Sequence, residues 1–389
     1  MNFNLFSCGF RPAFLLAGIA AVLLVPLWAI SFVSGTPLGS GWPPTLWHGH
    51  EMLFGFIGSA VGGFLLTAVP SWTGQKGVSG RPLIALATVW LVARLLIVTS
   101  GWWPPLLIAA VDLSFLPLLG FLVARSLLRP LNRNAVLLVV LGALWLTNLV
   151  FHFALLRKNP VLAGHALNIG IDIVLTLVTV IGGRIVPVFT AAALRQQGFQ
   201  GTVQSRPVFT VLAIAAMVLV TLGDMLWPDS RVAGTIAGIA AIIQGTRLVQ
   251  WRTLRTLRQP IVWILHLAYA WLPIGLALKA AAMLGGYAIA AFWLHALTIG
   301  ALTTMVTAVM TRASLGHTGR PLIVHPLITV AYVLLTAAAV VRVFGLSGFG
   351  LSFPLVVVWS ALFWTTAFVL FVGVYLPILS GPRADGKPG

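Results

Sequence analysis

The sequence predicts an all-α membrane protein: a single bundle of about twelve transmembrane helices over residues 1–389, with both termini in the cytoplasm. Composition, the lengths of the apolar runs and the placement of the basic residues predict it. Of the 389 residues, 59% are hydrophobic and only 7% are charged. Soluble domains carry about a quarter charged residues. A soluble fold of this length could not hide so much apolar surface, because exposed area falls too slowly with size. Lipid as solvent removes the difficulty.

Long apolar runs fall at about 13–33, 48–70, 83–100, 104–124, 134–156, 164–186, 207–227, 232–251, 261–284, 287–311, 322–343 and 354–378. Each comes close to the roughly 20 residues that a helix needs to cross a bilayer. Many are apolar on every side, as suits helices that face lipid or other helices. Backbone groups in lipid must be paired within their own segment, so these runs are helices and not open strands. The short alternating segments of a β-barrel are absent. The first run is too long for a signal-peptide core and lacks a convincing cleavage site, so it reads as a span that stays. Residues 380–389 read as a short mobile tail.

The basic residues set the orientation. With the N-terminus inside, the inner segments hold Arg11, Lys76, Arg81, Arg125, Arg129, Arg133, Arg195, Arg206, Arg252, Arg255, Arg258, Arg312, Arg320, Arg383 and Lys387, fifteen in all. The outer segments hold four: Arg157, Lys158, Arg231 and Arg342. Arg94, Arg184, Arg247 and Lys279 lie within the runs. This asymmetry places both termini in the cytoplasm and makes the number of spans even.

A net charge of +17 would suggest nucleic acid in a soluble protein. Here no basic, aromatic-interleaved soluble segment exists to bind it, and border cations contact anionic headgroups instead. Cys8 is the only cysteine, which excludes an intramolecular disulfide, a CxxCH haem attachment and a cysteine-type zinc cluster. No P-loop or dinucleotide fingerprint is present. HALNIG (His165 to Gly170) recurs as HALTIG (His295 to Gly300), and GRPL (Gly80 to Leu83) recurs from Gly319. The second, sixth and tenth runs each open near a histidine, a pattern that favours an ancient duplication. Gly58, Gly62 and Gly63 are small residues that let helices pack closely.

Depth sorts the eight histidines. His48, His50, His152, His165 and His295 lie in the outer third to half of the bilayer, and His266, His317 and His325 lie toward the inner face. A single histidine reads first as a hydrogen-bonded interfacial residue. Five on one side, from four helices, suggest a site of the kind that bundles build from facing helices. Imidazole suits iron and copper. His48 and His50 would point about 200° apart on an ideal helix, so they bind one ion together only if the helix entry is irregular. His295 and His317 are too far apart along one helix to share an ion. Among the acids, Glu51, Asp112 and Asp172 read as buried. Glu51 and Asp172 are candidates for catalytic proton transfer, for hydrogen-bonding a metal ligand, or for simple polar pairing; Asp112 shows no local partner. Arg184 and Arg312 read as border anchors or as partners of a carboxylate such as a haem propionate. Trp47, Trp72 and Trp293 read as an interfacial belt, and Tyr269 and Tyr287 as packing residues.

LWHGHEMLFGF (Leu46 to Phe56), TAVPSWTG (Thr67 to Gly74), GGRIVPVFT (Gly182 to Thr190), LHLAYAWLPIGL (Leu265 to Leu276) and HALTIGALTTMVTAVMTRASLGHTGRPL (His295 to Leu322) resemble the NnrS family over nearly the whole chain. The resemblance implies a twelve-span protein of the bacterial inner membrane with non-covalent, b-type haem and copper, linked to nitric oxide, nitrosative stress and denitrification. It carries His48, His50, His165, His266, His295 and His317, with Arg184 and Arg312, as matching positions; His152 and His325 match less well. By depth, His48, His50, His165 and His295 form one outer cluster, while His266 and His317 suit a second, inner site. Two forms stay open: an oxidoreductase that reduces nitric oxide with electrons from a quinol or small carrier, and a binder without turnover. The alternative from another class is a transporter for a metal, a metal complex or a small anion, since repeats, buried charges and Pro or Gly within spans are transporter features.

Overall fold

The computed structural model describes residues 4–36, 41–128 and 133–387. Arg129, one of the inner cations counted above, and the last two tail residues lie outside the described residues, as does the side chain of Arg133.

The described chain is helical throughout, and twelve helices are long and apolar enough to cross a membrane. They are α1 (Phe10–Ser34), α2 (Pro44–Thr73), α3 (Arg81–Val98), α4 (Pro105–Leu127), α5 (Val136–Leu156) and α6 (Pro160–Gln196), then α7 (Pro207–Leu226), α8 (Arg231–Val249), α9 (Pro260–Gly285), α10 (Ala288–His317), α11 (Pro326–Phe344) and α12 (Phe353–Ser380). Proline opens many of them, as at Pro44, Pro105, Pro207, Pro260 and Pro326. Its fixed φ suits the first helical turn, where its missing N–H costs nothing. Ser230 caps α8 by accepting a hydrogen bond from the Ala233 amide at 3.2 Å.

Two helices change winding inside the membrane. α2 is α-helical over Pro44–His50, a π-helix over Glu51–Ile57 and α-helical again over Gly58–Thr73. α10 passes from Trp293–His295 into a π-helix over Ala296–Thr303. A histidine, His50 or His295, immediately precedes each wide segment. π segments are rare and concentrate at functional sites.

α6 runs ten residues beyond its expected end. The sixth run was expected to end at about residue 186, yet the helix continues through Pro187 to Gln196. A membrane helix tolerates an internal proline where nearby hydroxyls and helices satisfy the freed backbone groups. The carbonyl that Pro187 leaves without its helical donor is that of Gly183; Thr190 Oγ1 donates to the neighbouring Val186 carbonyl at 2.7 Å. Arg184 is therefore mid-helix and exposed.

The chain divides into two compact units. Unit 1 comprises residues 1–170, 312–322 and 368–389; unit 2 comprises 171–311 and 323–367. In unit 1, α2 packs on α1, and α4 packs on α3 and α5. Gly63 lies so close to α1 that a Cβ there would come within 2.7 Å of the Phe14 ring. The end of unit 1 is tied down: the Arg11 guanidinium donates to the Leu379 and Gly381 carbonyls at 3.0 and 2.6 Å. Ala384 N donates to the Thr318 carbonyl at 2.9 Å, and Arg383 to the His317 carbonyl at 2.9 Å. In unit 2, α9 packs on α8 and on the π segment of α10, α8 on α7, and α11 on that π segment.

Candidate metal centre

Unit 1 contains a buried ionic cluster built from four helices. His50 is fully buried at the last α-helical position of α2, and Glu51 opens the π segment beside it. Arg94 comes from α3, Asp112 from α4, and Asn148 and His152 from α5. All six side chains are buried. Charge in a membrane interior demands partners, and these groups supply them to one another.

Arg94 joins the two acids, donating to Glu51 Oε1 at 2.9 Å and, through its other amino group, to Asp112 Oδ1. The other Asp112 oxygen, Oδ2, is the focus of the site. His50 Nε2 lies 3.1 Å from it and His152 Nε2 3.0 Å, and Asn148 Nδ2 donates to it at 2.7 Å. The remaining ring nitrogen of His50, Nδ1, faces Glu51 Oε1 at 3.1 Å.

His50, Asp112 and His152 offer three ligand atoms that all lie within 4.8 Å of one another. In a tetrahedral site with bonds of 2.0–2.1 Å, ligand atoms are separated by about 3.3 Å. The 3.0–3.1 Å separations from Asp112 Oδ2 to the two imidazoles are therefore within a small adjustment of a metal sphere. With neutral histidines, two carboxylates against one guanidinium leave one negative charge, which a cation neutralises. Carboxylate support of a ligating imidazole is a common metal-site device, and Glu51 is placed to give it to His50. A two-nitrogen, one-oxygen donor set suits copper, zinc or iron and leaves coordination positions for a small ligand.

A cavity of about 530 Å³ reaches this cluster, with His152 in its wall. Trp42, Leu46, Ile108 and Leu155 make it largely apolar, and Lys158 and Asn159 add polar groups. Trp42 also lies edge-on to His50 and His152, with ring centres 5.3 and 5.7 Å away.

The other expected site residues have different settings. His48 stacks on Trp28 of α1 at 4.2 Å, so the regular α-helical entry of α2 sends His48 and His50 to different neighbours. His165 is half-buried on α6. A Cβ at Gly49 would come within 2.8 Å of Leu167, so α2 and α6 cross closely there. His295 is half-buried in unit 2, beside Phe292. His266 is buried in unit 2 between two hydroxyls, with Nε2 2.7 Å from Thr190 Oγ1 and Nδ1 3.0 Å from Thr253 Oγ1. His317 is exposed beside Phe10, and His325 caps α11 by accepting from the Leu327 amide. Arg312 is half-buried in unit 1. Asp172 is buried in unit 2. Trp47 is fully buried and not at a lipid-facing belt.

Arg94 and Asn148 are the members that sequence reasoning left out of the site; His152 was placed among the five outer histidines but not in the four-histidine ligand set, and Asp112 was read as a buried acid with no local partner. A signal for two of them was present. Arg94 and Asp112 lie inside neighbouring apolar runs, and opposite charges inside a membrane must find each other. Asp224 was not counted among the buried acids, although it lies inside the seventh run.

The family model described as NnrS protein matches residues 4–383. No curated protein matches the chain.

Proposed function

The chain belongs to the NnrS family, and from that premise we propose that it binds copper through His50, His152 and Asp112 and handles nitric oxide at that ion. One observation carries the reading: three buried ligand atoms within 4.8 Å of one another, with His152 also lining a cavity. Its apolar wall suits a small, uncharged diatomic ligand, and the free coordination positions are where that ligand would bind. Bound copper would supply ligand binding and one-electron exchange. Asp112 holds the two imidazoles on a common centre, Arg94 fixes Asp112 and Glu51, and Glu51 orients His50. The family resemblance would add haem as a second redox group, with His48 on α2 and His165 on α6 as candidate ligands.

The basic-residue asymmetry supports cytoplasmic termini, and the family supports the bacterial inner membrane. Turnover would require electrons from a quinol or small carrier. Nitric oxide consumption by the purified, copper-loaded protein, followed with an electrode and a defined quinol, tests it. Quinol-dependent consumption that His152→Ala abolishes makes the protein a reductase. Stoichiometric uptake without turnover makes it a binder, and no interaction with nitric oxide overturns the reading.

A further inference from the structure

Unit 2 holds a second buried ionic cluster that the copper reading does not use. Asp172 on α6, Asp224 on α7 and Lys279 on α9 meet inside it. Asp172 is 3% exposed and Lys279 is fully buried; the Asp224 side chain is 11% exposed and forms the outer edge. Lys279 Nζ pairs with Asp224 Oδ2 and lies 4.7 Å from the centre of the Trp293 ring. Asp224 and Lys279 are the charged neighbours of the Asp172 carboxyl, so the local charge is set by these three residues.

An ionised carboxylate only accepts hydrogen bonds. Lys279 is paired with Asp224, and Asp172 Oδ2 is buried without a donor, so an anionic Asp172 would stand uncompensated and the carboxyl holds a proton. Charge leads to the same state. Two carboxylates and one ammonium sum to −1, and one bound proton brings a buried site to neutrality, which is the state that low-dielectric surroundings favour. The cluster also has vacant acceptors. Asp172 Oδ2 and Asp224 Oδ1 are buried and receive no hydrogen bond.

We propose that Asp172 and Asp224 form a proton-binding site within the membrane, holding one exchangeable proton between them with Lys279 as the counter-charge. On release, the O–H bond of the protonated carboxyl breaks and its electron pair stays on oxygen. The proton leaves by the Asp224 edge, and Lys279 remains charged to balance the anion. Uptake is the reverse.

Infrared difference spectroscopy of the full-length protein in lipid nanodiscs tests this. The wild type is expected to show the C=O stretch of a protonated carboxylic acid at neutral pH. The band should shift down in D2O, vanish in Asp172→Asn and move or vanish in Asp224→Asn. It should persist in Asp229→Asn, which lies in the loop before α8. Absence of the band from the wild type, a band that does not respond to D2O, or one unchanged in both Asn variants of the pair would overturn the proposal. The wild-type spectrum needs no variant and no metal, so the outcome is independent of the copper reading.

Discussion

Replacing Arg94 by methionine keeps most of the side-chain volume and removes the charge that joins Glu51 to Asp112. A unit charge pair 2.9 Å apart, the Arg94–Glu51 separation, attracts by about 6 kcal/mol at an effective dielectric near 20. The Asp112 contact adds to this, and the desolvation of three buried charges offsets much of the total. Removing one partner leaves the others uncompensated and costs about 3–5 kcal/mol. Asp112 keeps its contacts to His50, His152 and Asn148, so most of the loss comes from Glu51. The lower figure corresponds to a fall in melting temperature of about 6 °C or more, by the scaling for domains of 150–250 residues. Adding Glu51→Gln to Arg94→Met removes one orphaned carboxylate and should recover part of the loss. Thermal unfolding of the detergent-solubilised variants measures both. A melting temperature for Arg94→Met within a degree of wild type would refute the view that this guanidinium compensates two buried acids.

Two further outcomes follow from the cavity and the tail. Leu155→Trp narrows the cavity that ends on His152, so a membrane-impermeant chelator should strip copper more slowly than from wild type, in a stopped-flow measurement of metal loss. Arg383 binds Asp385 through Nε and Nη2 at 2.8 and 2.5 Å and holds its carboxyl down to about 2. For a depressed acid, the stabilisation is complete above the ordinary carboxyl value and is lost as pH falls through about 2. At neutral pH, Asp385→Asn should therefore expose the chain after Arg383 to faster tryptic cleavage, read by mass spectrometry. Unchanged cleavage would show that this pair does not hold the tail.

The bundle was legible in the sequence because hydropathy reports solvent directly. Spans of roughly 20 apolar residues between border cations leave one structural solution. The end of α6 was read short, because an apolar run marks the membrane-crossing stretch and not the helix end, and Pro187 is tolerated inside a membrane helix. His50 and Glu51 were found because HGHE places imidazoles next to an acid. Asp112, Asn148 and His152 were harder, since their partners are 18 to 98 residues away along the chain. Depth brought the histidines to one level of the bilayer, but it did not say which helices are neighbours. That is why His48, His165 and His295 were grouped with His50, while the nearest ligands to His50 come from α4 and α5. The π segments after His50 and His295 had no readable signal in the sequence.

The central claim is that His50, Asp112 and His152 hold copper. Copper titration of the purified full-length chain, followed by electron paramagnetic resonance, tests it most directly. The account predicts a single tight copper ion per chain with nitrogen hyperfine structure. That ion should be lost in His50→Ala and His152→Ala and kept in His48→Ala, all three variants eluting as the wild type does. A tight copper signal that survives the combined His50→Ala, His152→Ala variant would contradict it.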